Sequence, residues 1–336
     1  MSKLLKKNIT LQDIAESAHI SASTVSRALN NHPKISQKTK EKVWKVAKKL
    51  GYLPNIPVYM QKQKNNIVVF LVDDLSKLAN HEFILSAQET LLKNGFQPLI
   101  QFLANNTPNE KFTELIKEID VVGIISLLNE NQIIPDFKLP LISVNKSDYE
   151  FPQVHVLPDI YNGAYISANH LLNQGAKKLA LIIGDSESTI YSDMEAGFTA
   201  AFASNPNNSF KIVKSDLNKE ILKQEFEKII NEEIPVDGIV TCNNEVACQL
   251  HSFLHSKNIK VPVTIMLLSF GNETFVNLIS PGISTIEYSS ENMGRIAAEQ
   301  LAEIINTKNS EHKLLIEPAK LIIRASSLKI AHNYPK

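Results

Sequence analysis

The 336-residue sequence predicts a small unit of three helices at the N-terminus, followed by an α/β region of two doubly wound parallel-sheet subdomains. Three observations predict this. Residues 10–52 break into three short apolar-striped segments, punctuated by Ser/Thr caps, a His-Ile-Ser interruption and an Asn-Asn-His-Pro stop. From residue 67 the pattern changes to short continuous apolar runs alternating with helical stretches, as in parallel sheets covered on both faces. These runs fall into two sets, one for each sheet.

Bulk properties bound the reading. The length suits two or three domains, and 43% apolar residues leave ample material for cores. Two cysteines, Cys242 and Cys248, cannot build a disulfide framework, so a reducing compartment is expected. The opening "MSKLLKKNIT" has no apolar run long enough for a signal peptide or membrane span, so a cytoplasmic location and no membrane partner are expected. Net charge is zero, yet residues 1–64 hold thirteen Lys or Arg against only Asp13, Glu16 and Glu41. That segment therefore carries +10 and the remainder −10, an asymmetry that points to a nucleic-acid-binding head on a different kind of body.

In the first helix, "TLQD" sets Thr10 as N-cap with Asp13 in the first turn, and Leu11, Ile14, Ala15 and Ala18 form its apolar stripe. Ser21 caps the second, "SASTVSRALN", which turns Val25 and Leu29 inward. Its other face shows Ala22, Ser23, Ser26, Arg27 and Asn30, short or hydrogen-bonding groups without a carboxylate. Ser36 with Thr39 opens the third, whose Val43, Val46, Ala47 and Leu50 face the core, with Gly51 at the expected left-handed cap. Two helices joined by a tight turn and braced by a third make a helix-turn-helix, which lays its second helix in the major groove of DNA. Small residues let that helix approach closely, Ser23, Ser26, Arg27 and Asn30 reach base edges and phosphates, and the third helix's lysines lie near the phosphate backbone.

The stretch from Thr10 to Asn55, with "STVSRALN" and "LGYLPN", resembles the N-terminal domain of the lactose-repressor (LacI/GalR) family of bacterial transcriptional regulators. The resemblance implies DNA-contacting positions at Thr10, Ser21, Ala22, Ser23, Ser26, Arg27 and Asn30. It implies that Ser36, Thr39 and Tyr52 touch the DNA backbone or brace the domain.

The α/β region reads in order. The first set of strands is "IVVFLV" (67–72), "QPLIQFL" (97–103), "VVGIISL" (121–127), "PLISV" (140–144) and "VHVL" (154–157). The second is "LALIIG" (179–184), "KIVK" (211–214), "DGIVTC" (237–242), "VTIMLLSF" (263–270) and "STIEY" (284–288). Ligands in such folds bind beyond the carboxyl ends of the strands, so a cleft between the halves is the expected site. Landmarks such as "NGAYISANHLLNQGAKKLALIIG", "DGIVTCNNEVA" and "LIIRASS" resemble the family's effector domain, which is similar to periplasmic sugar-binding proteins. The resemblance implies three passages of the chain between halves, placed near Asn162, Ser289 and Arg324. The resulting division is a DNA-binding head at 1–55 and a hinge at 56–66. The first effector half takes 67–161 with 289–324, and the second takes 162–288 with 325–330. After Ile330 no leucine heptads suit a tetramerising coiled coil, so a homodimer on a near-palindromic operator is expected.

Competing readings are weaker. "GDSES" (184–188) resembles the serine motif of a lipase-like hydrolase family, but no Asp-x-x-His pair stands near the C-terminus. Glycine-rich phosphate loops are missing, and the five residues between Cys242 and Cys248 do not suit zinc. No catalytic residue, metal or cofactor is expected. A transport-type binding protein would not carry a helix-turn-helix, and one used only for protein contacts would not need the +10 charge.

Two regions depart from the family. "PNIPVYMQKQKNN" has Pro57 and lacks the Ala-rich hinge helix with its leucine; Met60 is the candidate apolar wedge for the minor groove, and the alternative is a flexible linker that does not intercalate. In the cleft, the place of the arginine used by sugar-binding relatives holds Met194. Asn145 followed by Lys146 stands after the fourth strand, and Gly271 and Asn272 stand where the acids of the strand-end loop would be. Asn244 replaces another aspartate. These changes predict an amide-rich pocket with Asn145, Asn244 and Asn272 as polar contacts and Tyr191 and Phe83 as stacking surfaces at its mouth. Lys146 would be a countercharge for a neutral or anionic effector, a sugar or sugar derivative. The alternative is a cleft that answers to a protein partner.

Overall fold

The structure, a computed structural model, describes residues 10–29, 32–50, 66–73, 78–103, 116, 119, 121–128, 138–144, 154–186, 188–233, 235–271, 273–309 and 311–329. The chain divides into an N-terminal unit, running to Ile67 and joined by residues 116–121, and a larger unit.

In the N-terminal unit three helices form, α1 (Leu11–Ala18), α2 (Ala22–Leu29) and α3 (Gln37–Leu50). Ile14, Ala15, Val25, Ala28, Leu29, Val43 and Ala47 make its core, while Leu11, Val46 and Leu50 are only partly buried against it. The tight α1–α2 turn depends on His19, whose left-handed φ of 52° lets its N–H reach back to Ala15 and Glu16 carbonyls.

The larger unit holds two six-stranded sheets. The first is built from β1 (Ile67–Val72), β2 (Gln97–Phe102), β3 (Val121–Ser126), β4 (Leu141–Val144), β5 (Val154–Pro158) and β11 (Lys313–Glu317), in the order β11-β5-β4-β3-β1-β2. The second is built from β6 (Lys178–Gly184), β7 (Ser209–Ser215), β8 (Gly238–Thr241), β9 (Met266–Phe270), β10 (Ser284–Glu287) and β12 (Lys320–Ile322), in the order β12-β10-β9-β8-β6-β7. Only β12 is antiparallel to its neighbour among the pairings described. The central strands β1, β3, β6 and β8 are almost wholly buried, which is why they read as continuous apolar runs.

Helices α4 (Leu78–Lys93) and α9 (Ser290–Thr307) pack together over the first sheet. Their approach is close at Gly294, where an added Cβ would fall on the Phe83 carbonyl. Helices α5 (Ile160–Asn173), α6 (Thr189–Ala200), α7 (Lys219–Ile230) and α8 (Asn244–Ser256) belong to the second half. Asp159, Asn218, Asn243 and Ser289 cap α5, α7, α8 and α9 with their side chains.

The third passage between halves differs from the expected place. β11 lies in the first sheet and β12 in the second, so the chain changes sheets between Glu317 and Lys320, not at Arg324. Residues 320–324 therefore go with the second half. A buried polar lock holds the following segment there: Ser327 Oγ meets His170 Nε2 at 2.7 Å and Ser284 Oγ at 2.6 Å. Ser326 Oγ donates to the Leu267 carbonyl at 2.6 Å, and Arg324 donates to the Ile283 carbonyl at 2.7 Å. Burial lowers the His170 pKa, partly offset by its bond to Ser327.

Candidate nucleic-acid interface and effector cleft

The α1–α2 corner is built by reciprocal caps. The Thr10 N–H donates to Asp13 Oδ2 at 2.7 Å, and the Asp13 N–H donates to Thr10 Oγ1 at 3.3 Å, a capping box that starts α1. Ser21 Oγ accepts from the Thr24 N–H at 3.2 Å and lies 2.9 Å from the Ser23 hydroxyl. Ser36 Oγ accepts from the Thr39 N–H at 3.2 Å and starts α3. With Val25, Ala28 and Leu29 buried, α2 presents its other side outward: Ser23 and Arg27 are exposed, Ala22 and Ser26 half-buried. Lys38, Lys42, Lys45 and Lys49 on α3 and Lys34 before it are exposed, so the cations stand where solvent or a polyanion can reach them. Asn30, Tyr52 and Met60 lie outside the described residues.

The second candidate site is the carboxyl edge of the second sheet. There Tyr191 of α6 folds over Gly184 at the end of β6, so closely that a Cβ on residue 184 would collide with the ring. Its hydroxyl bonds the Cys242 thiol just beyond β8. Burial, reinforced by Cys242 and Asp185, pushes the Tyr191 pKa up to about 12, and burial pushes Cys242 to about 12 as well, so both are protonated near neutrality. Beside Tyr191 a cavity of about 380 Å³ is walled by Asp185, Ser186, Ser188, Thr189 and Ser192. Across β8, the Asn244 side-chain NH2 donates to the Glu273 carboxylate, while Asn244 Oδ1 is buried without a partner.

Three expectations need correction. Phe83 is 3% exposed and belongs to the core of the first half, where α4 is pressed against α9, so it is no stacking surface at a mouth. Met194 is 2% exposed and packs in the core of the second half, so it offers no surface to a ligand. The pocket is also not stripped of carboxylates, because Glu273 reaches Asn244 from the loop after β9. In the sequence Glu273 closes "SFGNE", directly after Gly271 and Asn272. Asn145, Lys146 and Asn272 lie outside the described residues.

Residues 10–55 match the family model described as "Bacterial regulatory proteins, lacI family", and residues 168–327 match that of a periplasmic binding protein-like domain. The HTH-type transcriptional regulator DegA of Bacillus subtilis (strain 168) is 26% identical over 330 residues, covering 95% of this chain and 98% of that protein. The ribose operon repressor of Lactococcus lactis subsp. lactis (strain IL1403) is 25% identical over 319 residues, covering 94% and 97%. Among solved structures, the lac repressor dimer bound to operator and the anti-inducer ONPF superposes with a TM-score of 0.69 at 19% identity, covering 96% of this chain and all of that one. That likeness shows the fold.

Proposed function

The chain belongs to the lacI family of bacterial regulatory proteins, and from that premise we propose that it is a cytoplasmic repressor whose grip on DNA is set by a small molecule. It is a DNA-binding transcriptional regulator, as its curated relatives are. The observation that carries the mechanism is the outward face of α2, with Ser23 and Arg27 exposed and no carboxylate, on an N-terminal segment, residues 1–64, of charge +10. That face enters the major groove, Arg27 pairs with a base edge or phosphate, and the lysines of α3 lie along the backbone. One such helix reads a half-site, so two copies act together on a near-palindromic operator. Self-association is supported by β2, an edge strand that leaves Leu99, Ile100 and Phe102 exposed.

The effector occupies the cleft at the carboxyl edges of the strands, where Tyr191 covers the end of β6 and Asn244 pairs with Glu273 after β8 and β9. A sugar or sugar derivative is supported by the hydroxyl-rich wall from Ser186 to Ser192 and by the ribose operon repressor among the relatives. The test is operator selection from random DNA followed by titration. Wild type should lose affinity steeply with salt, because each phosphate contact releases counterions. Arg27→Ala should weaken specific binding by roughly 1–3 kcal/mol, the worth of a base contact. An Arg27→Ala protein that holds its selected site as tightly as wild type removes α2 as the reading helix.

A further inference from the structure

We propose that His251 and His255 are one half of a transition-metal site, completed by the same pair on a second copy of the chain. This rests on the reading that two copies act together, and it adds a contact of the second half to the β2 edge of the first.

The stretch "HSFLH" places the two histidines four apart near the end of α8, so both imidazoles lie on one side of the helix, a turn from each other. That is the spacing with which a helix presents two imidazoles to a single metal ion. Both rings line one cavity of about 350 Å³, beside Asn258, Lys260 and Ser280. A ring N–H of the half-buried His251 donates to the Ser280 carbonyl, which fixes the tautomer and leaves the lone pair on the other ring nitrogen. Burial, and after it the neighbouring His255, lower the His251 pKa, so this ring is neutral and able to ligate near neutrality. His255 stands in the last turn, where the negative end of the helix dipole favours a bound cation.

The donors set the class of metal. Among the described residues the cavity wall carries no carboxylate, and imidazole nitrogen suits zinc, copper or nickel, whereas magnesium and calcium take oxygen. Lys260 is exposed, and its flexible stem lets the ammonium stay in water. Two imidazoles fill half of a tetrahedral shell. Among the described residues no group of three or more His, Cys, Asp or Glu could hold a metal, so the other positions fall to water or to another chain. The surroundings favour the chain. Val263 on the cavity wall is 53% exposed, and Leu278, two residues before Ser280, is 82% exposed, apolar surface that a protein contact would cover. In a twofold contact a surface meets itself, so a pair near the axis faces its own copy and four imidazoles close the shell.

The experiment is sedimentation of the full, tag-free chain over a range of concentrations, in chelator, Zn²⁺ or Mg²⁺, with calorimetry of each ion. Zn²⁺ should bind at one ion per two chains, and Mg²⁺ should not bind. A ligand taken up only by the dimer tightens it by mass action. Free Zn²⁺ at about a hundred times its own Kd should therefore lower the dimer dissociation constant about a hundredfold. His255→Ala, at an exposed position, and His251→Gln should each lose that effect, while associating and binding operator as wild type does in chelator. Cys248→Ser, one turn away on α8, should keep it. One ion per chain, an effect that survives both histidine variants, or one lost in Cys248→Ser would each overturn the assignment. If the chain dimerises on operator and Zn²⁺ does not change its association, the metal site alone falls. If it stays monomeric on operator with and without Zn²⁺, the two-copy reading falls and the site with it.

Discussion

Replacing Ile14 by Ala should unfold the DNA-binding head and leave the effector domain standing. Ile14 is fully buried in a core of seven buried side chains, so the N-terminal unit has little with which to compensate its loss. At about 0.05–0.15 kcal/mol per residue, the roughly forty residues of the three-helix unit, turns included, hold only about 2–6 kcal/mol of stability. Removing most of a buried Ile side chain costs about 2–5 kcal/mol, comparable with that total. The molecule supplies its own probe, since its one tryptophan is Trp44 on α3, 44% exposed. Trp44 emission follows the head, whereas far-UV circular dichroism is dominated by the larger unit. In Ile14→Ala the Trp44 emission should be red-shifted already at 25 °C and operator binding lost, while the main dichroism transition stays at its wild-type temperature. An unchanged Trp44 transition would show that the seven-residue core does not hold the head together. A shift of both signals together would show that the two units unfold as one.

Two further perturbations test the effector domain. His170 has its pKa lowered by burial, so the unfolded chain takes up the proton first. The stability given by neutral His170 is therefore full above the ordinary value of 6.5 and declines as pH falls towards the folded-state value. His251, also lowered by burial, adds to the same slope. Melting temperatures between pH 8 and pH 5 should show a shallower acid decline in His170→Gln than in wild type, and equal declines would exclude this role. Gly294→Ala places a methyl group on the Phe83 carbonyl and should separate α4 from α9 at about 1–3 kcal/mol, read as a lower urea midpoint. A midpoint unchanged by that substitution would mean the helices are not in contact there.

What could be read from the sequence was what neighbours along the chain decide. Helix starts at Thr10, Ser21 and Ser36 were legible because an orphan N–H at a helix end is satisfied by a side chain within three residues. Strands such as β1 and β6 were legible because burial on both faces demands an unbroken apolar run. The polar face of α2 was legible because Val25 and Leu29 leave one choice for its inward side. The edge strands β11 and β12 were not, since they are short and half-exposed and exist by pairing with strands far away in the chain. That pairing also moved the last passage between halves from Arg324 to the Glu317–Lys320 link. The same limit governed the cleft. An aromatic such as Phe83 fits a core and a ligand pocket equally well by composition, and only the approach of α9 at Gly294 buried it. Asn244 and Glu273 are 29 residues apart, and His170 and Ser327 are 157 apart. No local pattern encodes such contacts. They arise because parallel strands set side by side bring distant segments together at both ends, Asn244 with Glu273 at the carboxyl edge and His170 with Ser327 by the amino ends, and the sheet order that does so is decided by long-range burial rather than by any run of adjacent residues.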